Sequence, residues 1–208
     1  MSLLSKTQLH ELIEQGVVIA SHSQVNGSSI DLTLHNLIQI ESSLGLANPP
    51  VDLYPQDGIT PKQSILLTPL DMSLNNYPQL KINCGYIMRP DEFILASTNE
   101  IFNLPLDISC EYKLKSTQAR NAMEHLNAGF CDPGWNNSRL TLELKNVSRY
   151  HKLIIRPNMP IGQMIFFRHT LPVPHEQSYA VRGQYNGQTQ VTTSKGLRSP
   201  TEQELSND

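Results

Sequence analysis

The sequence contains few cysteines, the residues that stabilise small secreted domains through disulfides and bind metal in many small metal-binding domains. Its three cysteines, Cys84, Cys110 and Cys131, are odd in number and widely spaced, which argues against a disulfide framework and against a CxxC metal site. No apolar run approaches the length of about eighteen residues that a membrane span needs, and the first residues lack the apolar core of a signal peptide. We therefore expect three reduced cysteines in a soluble, cytoplasmic protein without a membrane partner.

Positive charge is also scarce. There are 16 Lys and Arg against 19 Asp and Glu, which gives a net charge of -3 and a pI near 6.1. A nucleic-acid polymer demands a basic face, so we expect none as a partner. Any bound phosphate must be held by a few local cations. The 208 residues suit one domain with its own core.

Several motifs of catalytic sites are missing. The sequence contains no GxxxxGK[ST] phosphate loop, no GxGxxG after a strand and no GxSxG nucleophile elbow. The seven histidines lack the HExxH spacing of a zinc helix, and neither HxE nor PCxxC of the zinc deaminases is present. We assign no metal to protein side chains and expect no zinc. A deamination by this chain would therefore need a general base to activate water.

The pattern of apolar residues predicts a mainly β protein that opens with one short helix. Ser5 and Gln8 have the form of a capping box, and helical spacing follows until Gly16. A second helix is predicted over residues 118–126. Short β-type runs separated by turn formers are typical of a sandwich or barrel. These predicted strands are residues 17–20, 29–34, 64–67, 92–97, 140–145, 153–156 and 161–167.

Two segments carry little apolar content. Residues 48–61 contain several prolines and are predicted to form a long surface loop. From Gln177 onward the chain is polar and rich in turns, which is typical either of a frayed tail or of a segment that orders on a ligand.

Glu143 lies in a predicted strand whose residues alternate between leucine and polar side chains. Period-2 alternation places Leu142 and Leu144 on one face and Thr141, Glu143 and Lys145 on the other. From the pattern alone, an ordinary strand with a solvated polar face is the favoured interpretation. The alternative is a partly desolvated carboxylate with a raised pKa, which suits proton transfer.

Two further polar segments are candidate ligand contacts. Lys115, Ser116, Thr117 and Arg120 precede or begin a predicted helix and could cradle phosphate, although such residues are more often a helix cap with solvated cations. Asp132 opens a predicted hairpin tip, where it either satisfies its own turn or accepts a hydrogen bond from a ligand hydroxyl.

Seven blocks, in order along the chain, resemble the dCTP deaminases, a family that shares the trimeric dUTPase fold. The similarity extends from about Leu3 to Ser194. The blocks are residues 25–34 (VNGSSIDLTL), 90–100 (PDEFILASTNE), 115–120 (KSTQAR), 127–135 (NAGFCDPGW), 141–146 (TLELKN), 156–163 (RPNMPIGQ) and 184–188 (QYNGQ).

The resemblance implies a role for each of these polar side chains. Glu143 matches the glutamate that deprotonates water for attack on cytosine C4, and Ser116 and Arg120 match residues that position this water and stabilise the tetrahedral centre. Lys115 and Thr117 would face the triphosphate, which brings its own Mg²⁺. The further substrate-binding residues that the resemblance implies are Gln118, Ala119, Ala128, Asp132 at the deoxyribose 3′-hydroxyl, Thr141, Leu142, Gln163, Gln184 and Gln188.

The resemblance also implies the architecture. We expect a distorted jelly-roll or β-barrel of the dUTPase type over residues 1–175, with residues 176–208 as a tail that closes over the nucleotide and whose end is disordered. A homotrimer with sites at subunit contacts is implied as well. Lys115 stands where the family has arginine, Gln184 where it has lysine, and the turn at residues 136–138 is one residue longer than usual.

Three functions remain open at this point. The first is zinc-independent deamination of dCTP to dUTP and ammonia with Glu143 as base. The second is a bifunctional enzyme that also hydrolyses the triphosphate and gives dUMP and pyrophosphate. The third is a non-catalytic module that senses a deoxynucleotide.

One residue of the tail also remains open. His175 and Tyr179 are both candidates for the position of a tyrosine that contacts the nucleotide in the family.

Overall fold

The structure is a computed structural model that describes residues 2–41, 62–67 and 85–195. Cys84 and the predicted loop over residues 48–61 lie outside these ranges. Fourteen strands and three α-helices are present in the described residues, so the expected mainly β fold with few helices is confirmed. No helix among these residues is both long and apolar enough to cross a membrane.

The chain begins with the predicted amphipathic helix, α1 (Lys6–Glu14). The backbone N–H of Ser5 donates to Gln8 Oε1 at 3.0 Å, as expected of a capping box. Leu9 and Leu12 face the core and are fully buried. The helix is followed by Gly16 at a φ of +71°, a left-handed conformation that favours glycine.

The first of two five-stranded sheets is centred on β14 (Pro160–Arg168). This strand pairs antiparallel along most of its length with β9 (Ile108–Leu114), which continues to β11 (Phe130–Cys131). On its other side it pairs with β1 (Ser2–Leu3) and β3 (Ile30–Thr33).

The second five-stranded sheet carries the site described below. Its antiparallel strands follow the order β10 (Met123–His125), β12 (Thr141–Asn146), β7 (Phe93–Ser97), β4 (Leu37–Glu41) and β5 (Lys62–Leu66). Two smaller sheets pair β13 (Leu153–Ile155) with β6 (Tyr86–Met88), and β2 (Val18–Ile19) with β8 (Ile101–Phe102).

The hydrophobic core lies between the two large sheets. Phe102 and Phe166 are the largest side chains that are fully buried there. Trp135, the only tryptophan in the sequence, is buried and stacks on Phe102 with the ring centroids 5.4 Å apart.

All seven predicted strands are present, but the helix predicted over residues 118–126 is correct only to Arg120 and wrong beyond it. The helix, α2, covers Ser116–Arg120 and is followed by β10. Ala122 has a φ of +63°, which interrupts the helical conformation. Met123 and His125 are then buried on β10, which pairs with the edge of β12, so pairing and burial override helix propensity here.

The polar segment that follows β14 lies on the second sheet. It contains a short 3₁₀ turn at His175–Gln177 and the helix α3 (Tyr179–Arg182). The remaining described residues, 183–195, run past the start of β12, and Val191 is buried among them.

Candidate active site

Glu143 lies in the middle of β12, opposite Leu95 of β7. Leu142 and Leu144 are fully buried toward the core, whereas Thr141, Glu143 and Lys145 point to the other face, as the alternation predicts. The Glu143 side chain nevertheless retains only 26 % exposure. It is therefore a half-buried carboxylate on the covered face of a sheet, and the interpretation of an ordinary solvated strand face does not hold.

A cavity of about 480 Å³ opens over this face of the sheet. Its volume lies in the range of small-molecule sites, and its walls are mostly apolar and aromatic with a few polar groups, which is typical of such sites. The described residues that line it are Lys62, Phe93, Leu95, Ala128, Phe130, Cys131, Trp135, Leu140, Thr141, Glu143, Tyr179, Tyr185, Gln188, Thr192, Thr193 and Ser194.

His125 is the close polar neighbour of Glu143. Its Nε2 lies 3.3 Å from Glu143 Oε2, and its side chain is 5 % exposed. Both atoms are buried, and their relative orientation is not that of a hydrogen bond, so neither has a hydrogen-bond partner within the described ranges. The other side of the imidazole packs on the ring of Tyr112, with the centroids 4.6 Å apart. Burial raises the pKa of Tyr112, so this neighbour stays neutral.

The chain's own C-terminal segment forms one wall of the cavity. The Tyr185 carbonyl accepts hydrogen bonds from Trp135 Nε1 at 3.0 Å and from Ser138 Oγ at 3.1 Å. The Arg139 backbone N–H donates to the Gln188 carbonyl, and Gln188 Nε2 donates back to the Arg139 carbonyl. These bonds fix residues 185–188 along the segment that leads into β12.

The hairpin tip before β12 brings the helix α3 onto the cavity. Pro133 and Gly134 occupy the central positions of a turn closed by the bond from the Trp135 N–H to the Asp132 carbonyl, and the φ of +88° at Gly134 is that of a type II turn. A Cβ at Gly134 would meet the Ala180 nitrogen at 3.0 Å. The turn therefore needs glycine both for its conformation and for the close approach of α3.

Four of the predicted site residues line the cavity: Ala128, Thr141, Glu143 and Gln188. Leu142 lies beside them in β12 but faces the core. The other predicted residues do not line this cavity within the part of the chain that the structure describes. They are Lys115, Ser116, Thr117, Gln118, Ala119, Arg120, Asp132, Gln163 and Gln184.

Most of these other residues form a second polar region at α2 and the ends of β3, β9 and β14. Lys115 Nζ lies 2.7 Å from Asp31 Oδ1, and Gln118 Nε2 donates to the Pro160 carbonyl at 2.9 Å. Gln163 lies between Asp31 and Lys113 in the sheet. By contrast Ser116, Thr117 and Arg120 expose their side chains to the surface, as does Asp132 beyond this region. The predicted site residues thus lie in two groups in the described chain, one lining the cavity and one outside it.

Several cavity residues were not predicted from the sequence. Lys62 and Phe93 come from β5 and β7, which pair through β4, so their proximity depends on strand order. Tyr179 and Tyr185 both line the cavity, whereas His175 does not.

Within the described residues, no group of three or more His, Cys, Asp or Glu side chains is arranged to hold a metal ion. Cys110 and Cys131 are free thiols on directly paired positions of β9 and β11. Burial raises the pKa of the Cys110 thiol, with the neighbouring Cys131 adding to the effect.

The structure of a 2'-deoxycytidine 5'-triphosphate deaminase from Agrobacterium tumefaciens is similar to this chain. The TM-score is 0.56 at 16 % sequence identity, and the match covers 79 % of this chain and 48 % of that one. The likeness is one of fold, and it agrees with the fold expected from the resemblance to the dCTP deaminases.

Sequence comparison defines the family more narrowly. A protein from Parafrankia sp. named dCTP deaminase, dUMP-forming, is 37 % identical over 118 residues, which are 56 % of this chain and 58 % of that protein. A protein of the same name from Nocardioides sp. is 39 % identical over 116 residues, which are 55 % of this chain and 60 % of that protein. The matched region thus spans a little over half the length of these curated relatives. The family model described as dCTP deaminase-like matches residues 3–169, and the chain belongs to this family.

Proposed function

We propose that this chain catalyses the zinc-independent hydrolytic deamination of dCTP, with Glu143 as general base and acid. The observation that carries the proposal is the position of Glu143, a half-buried carboxylate that lines a covered cavity of nucleotide-site dimensions. A carboxylate in a site shielded from bulk water is suited to take a proton from one bound water and to deliver it again.

The chemistry balances with Glu143 as the only proton carrier. Glu143 takes a proton from water and passes it to N3 while the hydroxide forms a bond to C4 of cytosine. Glu143 then takes the proton of the new C4 hydroxyl and passes it to the exocyclic amino group, and the C4–N bond breaks as the C4 carbonyl forms and ammonia leaves. The net reaction is dCTP and water to dUTP and ammonia, and it draws on no metal-bound hydroxide.

We propose further that the complete site contains residues of two chains. Ser116 and Arg120, which by family resemblance position the water and stabilise the developing charge, are exposed on α2 and do not line the cavity that contains Glu143. Exposed apolar side chains lie close by, namely Leu126 and Phe130. In the homotrimer that we propose, α2 of one copy approaches the cavity of the next.

The remaining contacts follow the chemistry of the substrate. Asp132 is an exposed carboxylate suited to a deoxyribose hydroxyl, and Lys115 and Thr117 are suited to phosphate oxygens, with Mg²⁺ arriving as part of the nucleotide. Gln188 Oε1 is a buried acceptor with no hydrogen-bond partner in the described part of the chain, so it offers the nucleotide a position for a donor.

A second candidate function is favoured by the names of the relatives. Both curated proteins reported above are named as dUMP-forming. In that case dUTP would react with a second water to give dUMP and pyrophosphate at the same site, so deamination by Glu143 is common to both candidates.

One product assay separates these functions. Purified protein is incubated with dCTP and Mg²⁺, and ammonia and nucleotides are quantified together. Ammonia with dUTP supports the first function, and ammonia with dUMP and pyrophosphate supports the second. Tight dCTP binding without ammonia at high protein concentration would overturn both and favour a non-catalytic sensing module.

A further inference from the structure

Lys62 places a cation in the cavity that contains Glu143. It is the first residue of β5, the edge strand of the second sheet, and its side chain reaches across β4 to lie over the Phe93 ring, 5.5 Å from the centroid. Only 7 % of the side chain is exposed, and it lines the cavity together with Phe93, Leu95 and Glu143.

The ammonium of Lys62 is only loosely paired. Its ion-pair partner in the described ranges is Glu41, whose Oε1 is 3.7 Å away and whose side chain is 58 % exposed. This separation is longer than a hydrogen bond. Burial lowers the pKa of Lys62, and Glu41 offsets part of that effect. The side chain of Lys62 as a whole is buried and reaches the cavity, and an ammonium has three donors, so it can also serve an acceptor that enters the cavity.

The position of Lys62 identifies the part of the substrate that it meets. Glu143 must lie beside C4 of the pyrimidine, and Lys62 shares with it a cavity whose nearby walls are the apolar side chains of Phe93 and Leu95. The residues expected to hold phosphate, Lys115 and Thr117, lie outside this cavity. Lys62 therefore lines the same cavity as the group that must meet the base, and not the region that contains the residues expected to meet phosphate.

We propose that Lys62 is a specificity-determining residue whose ammonium donates a hydrogen bond to an oxygen on the pyrimidine base. This inference rests on the proposed nucleotide function. Two oxygens have the required chemistry, namely the 2-oxo group of the ring and a hydroxyl carried on a substituent at ring position 5.

Nucleotide binding tests the inference without depending on turnover. Trp135 is the only tryptophan and lines the cavity, so its fluorescence reports occupancy. Titrations use the Glu143→Gln background, which is expected to leave the nucleotide intact, with and without Lys62→Met. The ligands are dCTP, 5-methyl-dCTP and 5-hydroxymethyl-dCTP, and inorganic tripolyphosphate serves as a probe without a base. Lys152→Met is the matched control, because Lys152 is exposed.

Lys62→Met is expected to weaken binding of at least one nucleotide by roughly 10- to 100-fold, the value of one charged hydrogen bond. Lys62→Arg should recover part of this loss, and tripolyphosphate affinity should not change. A loss shared by dCTP and 5-methyl-dCTP assigns the 2-oxo group, and a loss confined to 5-hydroxymethyl-dCTP assigns the substituent.

Three results would overturn the inference. The first is unchanged affinity of Lys62→Met for all three nucleotides, and the second is an equal loss of affinity for tripolyphosphate. The third is a loss of affinity in Lys62→Met that comes with a lower melting temperature and that Lys62→Arg does not recover. If the unsubstituted protein binds no nucleotide, the proposed function fails as well. If the unsubstituted protein binds nucleotide but releases no ammonia, only the proposed deamination is contradicted, and the Lys62 comparison still tests the inference.

Discussion

His125 Nε2 and Glu143 Oε2 lie 3.3 Å apart, both buried and neither in a hydrogen bond within the described residues. Such an arrangement is costly unless another group satisfies these atoms when the site is in use. A water molecule or an atom of the substrate that contacts both atoms from the cavity side would do so. The relationship connects the proposed base to β10, which the sequence pattern had assigned to a helix.

His125→Phe is expected to lower kcat at least tenfold, on the order of the contribution of one buried polar contact in a catalytic site. The phenyl ring keeps the contact with Tyr112 but removes the nitrogen beside Glu143. Steady-state kinetics and the pH profile of kcat measure the effect, with His151→Phe as the control because His151 is exposed. An unchanged kcat and pH profile would show that His125 only fills space.

Mixing two inactive variants tests whether the site is shared between chains. Glu143→Gln and Arg120→Ala should each be inactive alone, since each removes one half of the proposed site. If Arg120 of one copy completes the cavity of another, refolding the two variants together creates some sites with both native residues. The mixture should then recover an appreciable fraction of the activity of the unsubstituted protein. Light scattering should report a trimer. A fully active monomer, or no recovery in verified mixed oligomers, would refute the shared site.

Arg139→Met is expected to loosen the C-terminal wall of the cavity. The Arg139 guanidinium donates to the Thr189 carbonyl at 2.8 Å and to the carbonyls of Thr98 and Asn99, so it joins the segment to the sheet. We expect KM for dCTP to rise several-fold with a smaller change in kcat, because binding is affected more than chemistry. Hydrogen exchange should increase in residues 184–195. Unchanged exchange there would contradict this role.

Stability should fall on the acid side because of His35. Burial lowers the pKa of His35 from its ordinary value of 6.5, with Arg139 adding to the effect, and its Nδ1 has no hydrogen-bond partner in the described ranges. The folded protein therefore binds this proton less readily than the unfolded chain. The contribution of neutral His35 to the free energy of unfolding is complete above pH 6.5 and is lost as the pH falls below that value.

His35→Asn should reduce this acid loss in denaturant titrations between neutral pH and about pH 5, the range in which an ordinary histidine titrates. The exposed His151→Asn serves as the control. Equal pH dependence in His35→Asn and the parent protein would contradict the assignment.

The sequence predicted much of the fold because local patterns agreed with the final structure. Alternation in β12 correctly separated Leu142 and Leu144 from Glu143, and the capping box at Ser5 correctly began α1. The helix predicted over residues 118–126 failed because a tertiary pairing with β12 decides the conformation of residues 123–125. Local propensity carries no information on that partner.

The candidate site was predicted less completely for a similar reason. Family blocks identified Ala128, Thr141, Glu143 and Gln188, which line one cavity. Lys62 lies outside every block and reaches the cavity only through the order of β5, β4 and β7. The relation between this cavity and the exposed Ser116 and Arg120 depends on assembly, which a single chain does not specify.

The central claim is that Glu143 is the base of a deamination. The most direct measurement is ammonia release from dCTP by Glu143→Gln beside dCTP affinity from Trp135 fluorescence. The amide keeps the size of the side chain but cannot take a proton from water, so we predict that turnover falls by at least about 10³-fold while affinity changes only a few-fold. Ammonia release at close to the original rate would contradict the assignment of Glu143.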